Sequence, residues 1–173
     1  MVILIFLDLT NFTLLRWISE KLDGFRAFWN GSMLISRQGL EIKCPEWFIE
    51  QFPKEFSLDG ELWSGRGTFD MLAATIKSKD TVGWKGIDYV AFDLPNSGDP
   101  YETRIRNLFK LTLPNHVQIV DVSRCRGNDD IVKYLSKIVD LGGEGMMAMK
   151  DKSHYKPMRV EWLFKVKVSI SQS

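Results

Sequence analysis

The sequence contains few of the residues that build disulfide frameworks and histidine-based sites. It has two cysteines, Cys44 and Cys125, and two histidines, His116 and His154, among 173 residues. The cysteines lie far apart and form no CxxC motif, so neither a disulfide scaffold nor a zinc knuckle is supported. Two isolated histidines also argue against a histidine metal site or a Ser-His-Asp triad. We therefore expect a reduced, intracellular protein of the cytoplasm or nucleoid, or of the nucleus in a eukaryote.

An excess of charge of one sign is absent, and so is a run long enough to span a membrane. Lys and Arg number 23 and Asp and Glu number 22, which gives a net charge of +1. This balance excludes binding through bulk positive charge but allows a local basic face. Residues 1–7 are apolar, but a bilayer span needs about 20 residues. No Lys or Arg precedes them, which favours a strand or packed terminal segment over a degenerate export signal. No membrane partner is expected.

Common signatures of nucleotide-binding and hydrolase sites are also missing. The sequence has no GxGxxG, no GxxxxGK[ST] and no GxSxG, so a dinucleotide fingerprint, a P-loop and a nucleophile elbow are not predicted. What is present is the composition of an ordinary globular protein, with 45% hydrophobic and 26% charged residues. The length fits one domain.

Hydrophobic periodicity predicts an α+β fold with mainly antiparallel sheets flanked by helices. Strands are predicted over residues 25–29, 33–36, 58–63, 87–94, 117–120, 145–149 and 161–168, and helices over 69–77, 102–111 and 129–141. Asn30-Gly31 predicts a hairpin with a type I′ turn. In the last helix, an apolar stripe is formed by Ile131, Val132, Leu135, Ile138 and Val139. Asn128 or Asp129 is expected to cap that helix, and Gly142-Gly143 to end it.

The segment KLDGFR at residues 21–26 is the first of six clusters that could carry chemistry. It places a lysine before a predicted strand and an arginine on that strand. A lysine becomes a nucleophile when desolvation and a neighbouring cation favour its neutral amine. The alternative interpretation is a surface Lys-Asp pair before a glycine turn.

Five further clusters follow along the chain. They are SRQG at residues 36–39, DGE at 59–61, YVAFD at 89–93, GGEG at 142–145 and KVK at 165–167. Taken singly, the first four are typical of turns or core strands. The two lysines of KVK fall on one face of a strand, an arrangement that favours a nearby anion.

In this order, KLDGFR, DGE, YVAFD, GEG and KVK resemble the motifs of the covalent lysine-NMP nucleotidyltransferase superfamily. ATP-dependent DNA ligases, RNA ligases and mRNA capping enzymes belong to it. Residues 19–24, 30–31, 36–39 and 61–67 look most like the small single-subunit ATP-dependent DNA ligases of bacteria and viruses. The resemblance covers about residues 19–168 and implies an ATP-grasp-like adenylation domain.

The resemblance implies a role for each motif residue around ATP. Lys21 would attack the α-phosphate and carry AMP. Glu20 would contact the base, Arg26 the sugar, and Glu61 the ribose hydroxyls. Arg37 would face a phosphate of the nucleotide or of the nicked strand.

The later motifs complete the implied nucleotide site. Phe92 would stack on adenine. Lys165 and Lys167 would neutralise the α-phosphate. Glu144 and Glu61 would hold Mg²⁺ or Mn²⁺, which are hard cations suited to carboxylate oxygens.

Nicked double-stranded DNA is the implied partner, with roles in replication, repair and recombination. Arg37, Arg66 and Arg159 are the expected DNA-binding residues of the motifs. Two basic stretches could also contact phosphates or could simply be solvated. These are Arg104, Arg106, Lys110, Arg124 and Arg126, and then Lys150, Lys152, Lys156 and Arg159.

The domain prediction is an atypical segment over residues 1–18, an adenylation domain over 19–168 and a tail over 169–173. The OB-fold domain usual in these ligases is expected to be absent from this chain, or to be supplied by a separate chain. We therefore expect adenine-nucleotide binding with slow self-adenylation and poor nick sealing. The chain itself is expected to be a monomer. The alternatives are an RNA ligase or capping-type nucleotidyltransferase, and a non-catalytic nucleotide- or DNA-binding remnant.

Overall fold

The computed structural model describes residues 15–78, 81–95, 98–150, 152–158 and 160–167. In chain order the elements are β1 (Leu15–Glu20), β2 (Phe25–Trp29), β3 (Leu34–Ser36), α1 (Glu46–Ile49), β4 (Leu58–Trp63), α2 (Phe69–Lys77), a 3₁₀ helix (Val82–Gly86), β5 (Asp88–Asp93), α3 (Tyr101–Leu108), β6 (Val117–Ile119), β7 (Val122–Arg124), α4 (Asn128–Asp140), β8 (Gly145–Lys150) and β9 (Leu163–Lys167). None of the described helices combines the length and the apolar character needed to cross a bilayer.

The strands form two sheets, which confirms the α+β prediction. The first sheet has the order β3-β2-β4-β5-β6, and the second has the order β7-β1-β8-β9. Every neighbouring pair is antiparallel except β5 and β6, which run parallel. The chain connects β5 to β6 through α3, as a parallel pair requires a crossover.

Two apolar cores hold these layers together. The larger lies against the first sheet and includes Trp29, Phe48, Leu62, Trp84 and Leu108. The smaller fills the space between the second sheet and α4. On α4, Ile131, Leu135 and Ile138 are buried, as the periodicity predicts, but Val132 is 46% exposed. Since consecutive helical residues are about 100° apart, Val132 falls outside the buried stripe.

β1 crosses the predicted boundary between residues 18 and 19. It lies between β7 and β8 in the second sheet. Ile18 packs in the smaller core, while Trp17 packs against the larger one. Both faces of this short strand are therefore covered. A strand buried on both faces does not alternate apolar and polar residues, so periodicity did not predict β1.

Two local predictions are wrong in detail. The hairpin joining β2 to β3 forms, but only Gly31 of the Asn30-Gly31 pair has positive φ, so the turn is not type I′. Instead, the Asn30 side-chain oxygen accepts hydrogen bonds from the backbone N–H groups of Ser32 and Met33, each at 2.9 Å. Helix α4 begins after Gly127 without a side-chain cap.

The end of α4 agrees with its prediction. Gly142 has a φ of 77°, and its N–H bonds the carbonyl of Val139, while the Gly143 N–H bonds that of Ile138. This pair of bonds is a Schellman motif, which needs a left-handed residue after the helix. It turns the chain directly into Glu144 and β8.

Candidate active site

Lys21 lies where β1 ends, and the start of β8 holds it at two points. Its backbone N–H donates to the carbonyl of Gly145 at 2.9 Å. Its Nζ forms an ion pair with a carboxylate oxygen of Glu144. The two side chains are 17% and 26% exposed, so the pair is partly accessible to solvent rather than sealed in the core.

Gly24 brings the neighbouring sheet against this lysine. A Cβ at Gly24 would lie 2.3 Å from the carbonyl oxygen of Leu62 and 2.7 Å from Cγ of Glu61. Only glycine permits so close an approach. The Gly24 N–H also hydrogen-bonds Glu61. The KLDG segment therefore joins the second sheet, which carries Lys21, to the DGE strand of the first.

Glu61 is the carboxylate of the first sheet that faces this charge cluster. Burial raises its pKa to about 7, although the charges of Lys21 and Arg26 act in the opposite direction. The nearby carboxylate of Asp59 adds to the rise. Glu61 thus exchanges its proton near neutral pH while lying within electrostatic reach of the lysine.

Arg26, on β2, is held by a buried carboxylate. Its Nε donates to Asp59 Oδ1 at 3.0 Å, and its Nη2 donates to Oδ2. Asp59 is 1% exposed. Burial works against the charged guanidinium, but the hydrogen bonds and charge of Asp59 outweigh it and raise the pKa of Arg26. The guanidinium also lies over the Phe92 ring, 5.7 Å from its centroid, so two predicted nucleotide contacts are adjacent.

Lys165 adds a cation from β9, where it pairs with Met147 of β8. Its pKa is lowered by partial burial and by the positive charges of Lys21, Arg37 and Arg26. Such mutual repulsion favours an anion among these groups. Arg37 itself is exposed, just beyond β3.

Two predicted residues lie outside this description in whole or in part. The backbone of Lys167 pairs with Gly145 at the start of β8, but its side chain lies outside the described residues. Arg159 is not among the described residues at all.

Glu20 and Arg66 form a pair beside a cavity. Arg66 Nε and Nη2 donate to the two carboxylate oxygens of Glu20, both at 2.7 Å. The adjoining cavity has a volume of about 260 Å³. Its lining includes Glu20, Leu22, Trp63, Arg66 and Val90. The indole N–H of Trp63 is buried and has no hydrogen-bond partner among the described residues.

The predicted stacking residue Phe92 does not line this cavity. It is half-buried and lies at a bulge in β5, where side chains do not strictly alternate. Its ring faces Arg26, which pairs with Glu61 of β4, and Glu61 pairs in turn with Val90 of the cavity lining. The cavity and the Phe92 ring are therefore neighbouring parts of one face, with Lys21 between the two sheets.

Glu144 and Glu61 are the two carboxylates predicted to hold a divalent cation. Among the described residues, no group of three or more His, Cys, Asp or Glu side chains comes together. Glu144 contacts Lys21, and Glu61 is electrostatically coupled to it. Mg²⁺ is commonly held by one or two carboxylates together with substrate phosphates, so this donor pair fits such an ion.

Sequence reasoning missed two polar residues that organise the site. Asp59 appeared only as part of the DGE motif, and Tyr155 was not singled out. Tyr155 donates its hydroxyl to Asp59 Oδ2 at 2.9 Å. Within the basic stretches, Arg104 is 1% exposed and bonded to Asp93. Both interpretations of Arg104, as a DNA contact and as a solvated charge, are therefore wrong, whereas Arg106, Lys110, Arg124 and Arg126 are exposed.

Comparisons with known proteins agree with this geometry. The family profile of the ATP dependent DNA ligase domain matches residues 9–167. A DNA ligase of Haemophilus influenzae is 32% identical over 158 residues, covering 88% of this chain and 58% of that protein. The chain thus spans less than two thirds of that relative.

Solved structures show the same likeness. A structure from a study of DNA binding by the minimal-scaffold Lig E DNA ligases superposes with a TM-score of 0.81 at 34% identity, covering 90% of this chain and 62% of that one. The Chlorella virus DNA ligase-adenylate gives a TM-score of 0.70 at 19% identity, covering 88% and 60%, and shares the fold. The chain therefore belongs to the ATP-dependent DNA ligase family and has the fold of its adenylation domain.

Proposed function

We propose that this chain transfers AMP from ATP to itself and then to the 5′-phosphate of a DNA nick. The supporting observation is the meeting of Lys21 and Glu144 of the second sheet with Arg26 and Glu61 of the first. A lysine surrounded by further cations and two carboxylates suits attack on a phosphate anion.

In the first step, the Lys21 Nζ attacks the α-phosphorus of ATP. A nitrogen–phosphorus bond forms, the bond to the pyrophosphate oxygen breaks, and pyrophosphate leaves. The attacking amine must be neutral, so the ammonium first gives its proton to solvent. Because Nζ contacts the Glu144 carboxylate, the two groups would also have to separate before attack. Glu144 and Glu61 would hold Mg²⁺ or Mn²⁺, which supplies positive charge at the α-phosphate.

The remaining residues position the nucleotide. Lys165 and Lys167 would neutralise the α-phosphate, and Arg26 would contact the sugar. Glu61 would accept hydrogen bonds from the ribose hydroxyls. Phosphoryl transfer of this kind depends mainly on position and charge, and it needs no histidine base.

The base would lie at the face formed by Phe92 and the cavity near Glu20. Phe92 would stack on adenine, and Glu20 would contact the base edge. The ion pair of Glu20 with Arg66 fixes this carboxylate beside the nucleophile.

In the later steps, AMP would pass from Lys21 to the 5′-phosphate, and the 3′-hydroxyl would displace AMP to close the nick. We propose Arg37, Arg66 and Arg159 as DNA contacts, and residues 19–168 as the adenylation domain of a monomer. An OB-fold domain, in the same protein or a separate one, would complete nick sealing.

Incubation with α-labelled ATP and magnesium tests the proposal. We expect covalent label on the chain, its loss in Lys21→Ala, and its retention in Lys43→Ala, a matched change at an exposed lysine. Equal labelling of Lys21→Ala would refute the assignment. Labelling by GTP instead of ATP would favour a capping-type enzyme, and preference of the adenylated chain for nicked RNA would favour an RNA ligase.

A further inference from the structure

The loop between β8 and β9 connects the second sheet to the first. The carbonyl of Ser153 accepts hydrogen bonds from the Tyr101 N–H at 2.9 Å and from Arg104 Nη1 at 2.8 Å. Arg104 is itself buried and donates to both oxygens of Asp93, at the end of β5. His154 Nδ1 lies 2.8 Å from the Gly98 carbonyl oxygen. Residues 152–158 are thus anchored on the first sheet.

Tyr155 extends from this anchored loop to the carboxylate that holds Arg26. Its hydroxyl donates to Asp59 Oδ2 at 2.9 Å, the same oxygen that accepts from Arg26 Nη2. Asp59 Oδ1 accepts from Arg26 Nε. The three groups form one chain of hydrogen bonds. Tyr155 joins it from the loop between β8 and β9, which are strands of the second sheet.

We infer that Tyr155 is a positioning residue for nucleotide binding, which orients Arg26 through Asp59. This inference rests on the proposed contact of Arg26 with the nucleotide. A carboxylate bonded only to a partly exposed arginine can rotate with it, because the arginine side chain is long. The hydroxyl donates to the same carboxylate oxygen as Nη2 and so limits the orientations of both partners.

The chemistry of the tyrosine suits this role. The hydroxyl must stay protonated to donate to a carboxylate, and burial together with the charge of Asp59 raises the pKa of Tyr155. The ring lies 6.0 Å from the Arg104 guanidinium. Packing of the ring and donation by the hydroxyl are therefore separable, because phenylalanine keeps the first and removes the second.

Equilibrium ATP binding to the full chain in EDTA, measured by calorimetry, tests the inference without depending on catalysis. We expect Tyr155→Phe to weaken ATP binding about three- to tenfold, the size of effect expected for the loss of one ordinary hydrogen bond. In an Arg26→Ala background, the same substitution should change ATP affinity by less than about twofold, since interacting residues are not additive. In adenylation assays, KM should rise while the maximal rate stays nearly unchanged.

Tyr101→Phe is the matched control, because its ring also lies against Arg104, at 5.5 Å. It should leave ATP affinity unchanged. Unaltered ATP binding by Tyr155→Phe would overturn the inference, and so would an equal loss of affinity in the wild-type and Arg26→Ala backgrounds. Neither result would affect the proposed function. If Arg26→Ala leaves ATP affinity unchanged, the proposed nucleotide contact of Arg26 fails, and the inference fails with it.

Discussion

Arg66 donates two hydrogen bonds of 2.7 Å to the carboxylate of Glu20, the residue directly before Lys21. Parallel bonds of this kind fix both the position and the plane of a carboxylate. The resemblance had placed these residues on different ligands, Glu20 on the nucleotide and Arg66 on DNA. Their contact makes Arg66 part of the wall of the cavity beside the nucleophile.

Removing the ion pair between Arg66 and Glu20 should weaken nucleotide binding. We expect Arg66→Ala to lower ATP affinity about three- to tenfold, because Glu20 loses a charged hydrogen-bond partner. Arg106→Ala is the control, since it breaks an exposed ion pair with Glu102 on α3, and it should have no effect on ATP binding. Titration calorimetry measures the ATP affinity of both variants. Loss of DNA affinity with normal ATP binding would contradict the prediction and support a DNA role alone.

The buried pair of Arg104 and Asp93 should contribute mainly to stability. Arg104 is 1% exposed, and it also donates to the carbonyls of Asp99 and Ser153. We expect Arg104→Met to lower the free energy of unfolding by about 3 to 5 kcal/mol, because Asp93 is left buried without its partner. Urea unfolding measures this loss. Arg104→Met with Asp93→Leu should recover part of it, and a double variant no more stable than Arg104→Met would contradict the explanation.

Glycine at position 24 should be required for both folding and adenylation. A methyl group there would overlap the Leu62 carbonyl, so we expect Gly24→Ala to cost about 1 to 3 kcal/mol of stability. Adenylation should fall as well, since Glu61 would be displaced from Lys21. Gly86→Ala serves for comparison, because a Cβ at Gly86 meets no atom within 4 Å. Thermal unfolding would compare the stability of the two variants, and labelling by ATP would compare their adenylation. Equal stability and equal labelling of the two variants would refute the prediction.

Cys44 should react slowly with alkylating agents at neutral pH. Burial, with the charge of Glu41, raises its pKa to about 11. An acid with a raised pKa loses its proton only at higher pH, so the rate should keep rising about tenfold per unit between pH 8 and pH 10. Peptide-resolved mass spectrometry with iodoacetamide follows Cys44 separately from the buried Cys125. Unfolding in urea should abolish this rise above about pH 9, and a plateau in the folded chain would contradict the assignment.

The local part of the structure was predictable from the sequence, whereas the contacts between distant residues were not. Helix α2 has its predicted bounds, and the strand of the DGE motif is where alternation placed it. β7 was missed because Val122 is the one apolar residue of its three, so the segment VSR shows no apolar pattern, unlike LIS of β3 and VQI of β6. The Glu20–Arg66 and Asp59–Tyr155 bonds join residues 46 and 96 positions apart. No spacing rule connects such residues, because only the packing of the two sheets brings them together.

The pairing of β1 with β8 places Glu20 opposite Met146 and the Lys21 N–H on the Gly145 carbonyl. A strand shifted by one residue presents each side chain on the opposite face. An inserted or deleted residue near Gly145 would therefore remove Glu144 from Lys21 without changing either amino acid. At the other end of β1 a bulge between Leu15 and Trp17 already absorbs an irregularity. Length changes in relatives should thus be tolerated at that end of the strand pair and excluded beside the lysine.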